Sequence, residues 1–162
     1  YGVNPPVDIW AIDVYPLDWQ NTPNSIMHAQ TAIDQLKGMR NYLNDNGYPN
    51  TPIWITEIAV HVGFPLKWDA SQGKYVRNGA YDSAKMAEYL VTVLDWLEAN
   101  SETYNIKKWF FFITWWNLVN ISDDDPYMGI TFFDGKDQGA SLNCLGRIYR
   151  AYSMSETVVN DC

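Results

Sequence analysis

The residues best placed to do chemistry stand at the ends of apolar runs. Glu57 lies near the end of Pro52-Ile53-Trp54-Ile55-Thr56-Glu57-Ile58-Ala59-Val60, a short apolar run opened by a proline that reads as a buried parallel strand. An unpaired carboxylate inside such a run is costly, so its presence there implies a use for the charge. At the C-terminal end of a parallel strand, a side chain faces the edge on which α/β proteins build their sites. Asp13 and Tyr15 hold the matching place on residues 8–15, a run that Pro16 ends. With period-two alternation, Ile9, Ala11, Asp13 and Tyr15 share a face that turns polar toward its C-terminal end, and Trp10, Ile12 and Val14 share an apolar face that needs a helix over it. Plainer readings stay open: Glu57 as a strand-end acid paired with an arginine, Tyr15 as a packing ring with a wet hydroxyl.

The elements that must hold these side chains alternate. Residues 25–44 place Ile26, Ala29, Ile33, Leu36, Met39 or Arg40, and Leu43 at helical spacing, with Asn24 or Ser25 to cap the start and Asn46-Gly47 to stop the end. Tyr48-Pro49-Asn50-Thr51 turns the chain into the strand of Glu57. Strand, helix, short turn and strand make a βαβ unit, so the two strands should be parallel with a right-handed crossover. On the second strand, alternation puts Ile53, Ile55 and Glu57 on one side and Trp54 and Thr56 on the other.

Residues 61–82 read as a long loop carrying Phe64, Trp68 and Tyr75, of a length that is usually functional or disordered. Trp68 and Tyr75 either form a lid or anchor the loop. A second helix, capped at Asp82 or Ser83, carries Met86, Leu90, Val93 or Leu94, and Leu97. Residues 108–117 make a third strand, apolar on both faces, with Phe110, Phe112, Thr114 and Trp116 on one side and Trp109, Phe111, Ile113 and Trp115 on the other. A loop with Asp123-Asp124-Asp125 follows, suited to calcium or simply a solvated acidic stretch. A last helix covers residues 142–152, striped by Leu145, Ile148, Tyr149 and Tyr152. No repeat or linker divides residues 1–162, which read as one unit.

Asp13-Val14-Tyr15-Pro16, Trp54-Ile55-Thr56-Glu57-Ile58-Ala59 and Thr114-Trp115-Trp116-Asn117 together resemble the last three strands of retaining glycoside hydrolases built on a TIM barrel, in the clan of cellulases, mannanases and β-xylosidases. Gly129-Ile130, Asp134-Gly135 and Leu145-Gly146-Arg147-Ile148-Tyr149-Arg150-Ala151-Tyr152 are similar to the close of such barrels. The resemblance implies the C-terminal portion of a (β/α)8 barrel, with parallel strands under helices on the outer face. It makes Glu57 the nucleophile and Tyr15 the hydroxyl that orients it. Trp116 or Trp115 becomes the floor for the sugar (both cannot point inward), and Asp13, Asn117 and Trp68 join the substrate-binding residues. Hydrogen bonds to the charged form would keep such a nucleophile ionised.

The sequence departs from the clan in two places. Asp13 stands where members often carry histidine. No Asn-Glu pair, the clan's general acid/base signature, occurs anywhere in the chain. Since a full barrel has eight strand–helix units over roughly 250 residues, strands one to five are missing, and Tyr1 at the start suggests a piece of something longer. The expected activity is retaining hydrolysis of O-glycosyl bonds, inactive in this chain alone. The alternative is a barrel remnant that binds saccharide or self-assembles without catalysis.

The net charge of −8 argues against nucleic acid, because no basic patch exists to displace phosphate counterions. No apolar run spans a bilayer. Eight tryptophans and eleven tyrosines exceed what a core of this size needs, which points to an aromatic binding cleft. No cysteine–histidine cluster resembles a zinc site, His28 and His61 read as structural or exposed, and no cofactor is implied. Cys144 and Cys162 could form one bridge over the C-terminal tail. The expected partners are an oligo- or polysaccharide and either the N-terminal part of the barrel or a second copy. The expected location is extracellular or at the cell envelope.

Overall fold

A computed structural model of the chain describes residues 5–15, 29–58, 66–77, 83–111, 132 and 141–162. Its elements are β1 (Trp10–Val14), α1 (Ala29–Asp45), β2 (Ile53–Ile58), β3 (Leu66–Asp69), β4 (Lys74–Arg77), α2 (Ser83–Asn100), β5 (Ile106–Phe111) and α3 (Cys144–Met154). The main sheet has the order β1-β2-β5, and both of its pairings are parallel. An α/β unit of three parallel strands and three helices is therefore present, with the strands in sequence order.

The helices form where apolar residues recur every three or four positions. On α1 the buried residues are Ala32, Ile33, Leu36, Arg40 and Leu43. Gly47, at φ +86°, closes this helix, with Tyr48 N–H donating to the Leu43 carbonyl at 2.8 Å; a residue in that region avoids Cβ strain only as glycine. Met86, Leu90, Val93, Leu94 and Leu97 of α2 and Leu145 and Ile148 of α3 join one core with Val14, Ile53, Ile55, Ile58 and Ile106 of the sheet. Among the described residues that core lies on one face of the sheet. Ala11, Asp13, Thr56, Lys108 and Phe110 are exposed on the other.

Simple alternation along β2 fails at Thr56. Ile53 and Ile55 are fully buried in the helix-side core rather than turned to the open face with Glu57. Ile58 is also fully buried, so the buried positions switch from odd to even between residues 55 and 58. The pairing with β1 explains the switch: Ile12 faces Ile55, but Asp13 faces Glu57, leaving Thr56 as an extra residue. The register with β5 shifts over the same stretch, between Ile55 and Ile58. Such a bulge sets two residues against one and re-aims the side chains beyond it. It moves Glu57 out of the core and onto the open face.

Two further features differ from the reading by pattern. The third strand begins at Ile106, before Lys108, with Ile106 in the core and Lys107 paired to Glu102 at 2.9 Å. The stretch expected as a structureless loop contains an antiparallel hairpin, β3 with β4, in which Trp68 faces Tyr75. Its turn is built by Asp69, whose Oδ1 accepts from the N–H and hydroxyl of Ser71, and by Gly73 at φ +63°.

At the N-terminal edge of the sheet, Arg40 is buried and donates to the carbonyls of Thr51 and Tyr48 at 2.9 and 2.8 Å. The Trp10 and Tyr48 rings meet edge to face, 5.3 Å between centroids. At the other end of the chain, Cys144 and Cys162 are disulfide-bonded, with Cα atoms 5.3 Å apart. Arg147 pairs with Asp161 at 2.6 Å beside that bridge.

Candidate active site

The parallel pairing of β1 and β2 brings the C-terminal ends of both strands to one edge of the sheet. Tyr15 follows the last residue of β1, and Glu57 is the penultimate residue of β2. The Tyr15 hydroxyl donates to Glu57 Oε2 at 2.5 Å, a short bond of the kind a charged acceptor makes. Helix α1 fixes the backbone beneath it, since Gln35 Nε2 donates to the Tyr15 carbonyl at 3.1 Å. Burial, first, and then the hydrogen bond and negative charge of Glu57, with a smaller push from Asp13, hold the Tyr15 phenol well above its ordinary pKa. Tyr15 is thus a durable proton donor across the physiological range.

Asp13 sits beside this pair on the same face. Its Oδ1 accepts from the Thr56 hydroxyl at 2.7 Å, and that hydroxyl lies 3.3 Å from the Ile12 carbonyl. Thr56 was not among the residues singled out by pattern, because nothing in the sequence marks it as the extra residue of a bulge. Farther toward the N-terminal edge of the open face, Lys108 Nζ lies over the Trp54 ring, 4.4 Å from its centroid. That contact places a cation against an indole, worth about 0.5–1 kcal/mol at an exposed position.

The structure brings together Glu57, Tyr15 and Asp13. Trp68 lies on the β3–β4 hairpin, with 52% of its surface exposed. Trp115, Trp116 and Asn117 lie outside the described residues, as do His28, His61, Phe64 and the acidic run Asp123, Asp124 and Asp125. Among the described residues, no group of three or more histidine, cysteine or acidic side chains converges as a metal site, and no helix is long and apolar enough to cross a membrane. A cavity of about 300 Å³ between α3 and the C-terminal tail is lined by Arg147, Arg150, Glu156 and Asp161, but both arginines already face acids there.

Comparison of the chain with models of protein families, with curated proteins and with solved structures finds no match. The site therefore rests on its own geometry: a carboxylate at a strand end, held by a phenol from the neighbouring strand, on a sheet face that no helix covers among the described residues.

Proposed function

We propose that the chain is the C-terminal part of a retaining glycoside hydrolase, its three strands being the last three of an eight-stranded barrel, with Glu57 as nucleophile. The observation that carries this reading is the 2.5 Å bond from Tyr15 to Glu57 at the C-terminal edge of adjacent parallel strands. Barrel enzymes gather their catalytic groups on that edge. Tyr15 occupies Oε2 and fixes the carboxylate's orientation, leaving Oε1 to attack the anomeric carbon. The bond to the leaving oxygen breaks as the Glu57–sugar bond forms, and the leaving oxygen takes a proton from an acid on strands beyond this chain. Water, deprotonated by that same group, then releases the sugar with its configuration retained. The two carboxyls of such a site stand about 5–5.5 Å apart. Asp13 is spoken for by Thr56, which argues against it as the acid, so the chain by itself should not turn over unactivated glycosides.

In a full barrel the open face bearing Trp54 (under Lys108) and Phe110 is packed interior, whereas in this chain alone the partly exposed Trp54 and exposed Phe110 offer flat apolar contact to sugar C–H faces. The Cys144–Cys162 bridge supports an oxidising, extracellular or envelope location. The same aromatic face also favours a second reading, saccharide binding without hydrolysis, which requires no second carboxylate. Glu57→Gln in the completed enzyme separates the two. It should lower kcat by about 10^4-fold or more while binding persists; near-normal turnover would remove Glu57 from the mechanism.

A further inference from the structure

We propose that Asp13 is a positioning residue that acts through Thr56: its carboxylate holds the Thr56 hydroxyl and so pins the bulge that presents Glu57 to Tyr15. The role as a catalytic aid rests on the reading of Glu57 as nucleophile; the geometry it acts through does not.

Three observations converge on it. Without an extra residue in β2, Glu57 would share the side of Ile53 and Ile55, both fully buried under the helices. A carboxylate there would be expelled or would demand a partner, at a cost of several kcal/mol. The extra residue is Thr56, placed between the Ile12–Ile55 and Asp13–Glu57 pairs. Thr56 is exposed, so packing does not fix it; what holds its side chain is the 2.7 Å bond to Asp13 Oδ1, with the Ile12 carbonyl at 3.3 Å. Both acceptors belong to β1 at the point where the registers part. The latch therefore ties the bulge to the strand that also delivers Tyr15, and a slip of β2 by one residue would break it and the Tyr15–Glu57 bond together. On this account Asp13 serves the bulge through Oδ1, which the Thr56 hydroxyl engages at the protein surface.

The Tyr15 phenol reports whether Glu57 is in place. The full chain is labelled with ring-13C tyrosine, and the Tyr15 signal is identified by its loss in Tyr15→Phe. At about pH 10.5, above the ordinary phenol midpoint of about 10, Tyr15 should still read as the neutral phenol. Thr56→Val removes the hydroxyl but no charge, and should lower the Tyr15 midpoint by about one pH unit or more in a chain that keeps its folded near-ultraviolet signal at neutral pH. An unshifted Tyr15 in folded Thr56→Val overturns the proposal. If that variant does not fold, Asp13→Ala and Asp13→Asn decide: both lose the same charge, but only the amide keeps an oxygen for Thr56. A larger fall in Asp13→Ala than in Asp13→Asn supports the latch, and equal falls overturn it. None of these readings requires glycosidase activity, so failure of the latch and failure of the nucleophile assignment are separately visible.

Discussion

At the scale of single residues, the site depends on a proton that stays where it is. Tyr15 keeps its phenol because burial and the facing carboxylate both penalise the phenolate. Tyr152, which donates to Asp95 on α2 with Glu98 near, is held up for the same reasons, burial first. A group whose folded pKa exceeds its unfolded value contributes stability below the unfolded value and loses it as pH rises. For tyrosine that loss starts near pH 10. Urea midpoints measured at pH 9 and pH 11 should therefore fall more steeply in the parent than in Tyr15→Phe or Tyr152→Phe; parallel falls would contradict the assignment. In the completed enzyme, Tyr15→Phe should also cut kcat/KM by about 10- to 100-fold, the worth of one hydrogen bond to a charged group. The partnership of Tyr15 and Glu57 was implied by the family resemblance; strand pattern alone set both residues at strand ends and left Tyr15 open as a packing ring. The engagement of Asp13 by Thr56 was not legible in the sequence, since it depends on which residue of β2 has no partner across the ladder.

At the scale of elements, helices were readable and strand faces only partly so. The stripe Ile33, Leu36, Leu43 repeats at a spacing that only a helix satisfies, and its stop at Asn46-Gly47 is local chemistry. Which way Ile53 and Ile55 point is set by hydrogen bonds to other strands, and one inserted residue reverses it. The β3–β4 hairpin had a signal that length obscured: two short alternating runs, Leu66-Lys67-Trp68-Asp69 and Lys74-Tyr75-Val76-Arg77, flank a cluster of turn formers. Helix α3 supplies a sharp test of packing. Its start is capped by Asn143, whose Oδ1 accepts from Gly146 N–H at 2.9 Å, and a Cβ on Gly146 would lie 2.2 Å from the Phe132 carbonyl oxygen. Backbone cannot yield as a side chain does, so Gly146→Ala should destabilise the chain by about 1–3 kcal/mol in urea denaturation. An unchanged midpoint would mean that α3 does not close on Phe132 as described.

At the scale of the whole molecule, the described strands leave the sheet open. The outer edges of β1 and β5 have no strand beside them among the described residues, and the uncovered face carries exposed Phe110 together with Ile9 at 38% exposure. Burial of Ile53 and Ile55 under the helices makes that face less apolar than simple alternation implies, but edges and aromatic patches of this kind still favour association. Sedimentation should show the chain pairing with a second copy, or with the rest of the barrel when supplied; a monomer at every concentration would contradict the open-barrel account. The central claim is that Glu57 is a nucleophile, and covalent trapping tests it most directly. A 2-deoxy-2-fluoro glycoside with a dinitrophenolate leaving group needs no acid to depart, and its fluorine slows release of the glycosyl-enzyme. Peptide mapping by mass spectrometry of the completed barrel after such treatment should find one sugar, ester-linked, on the peptide containing Glu57, and none in Glu57→Gln. A sugar on a different carboxylate, or an unlabelled Glu57 peptide in a barrel that hydrolyses glycosides, would contradict it.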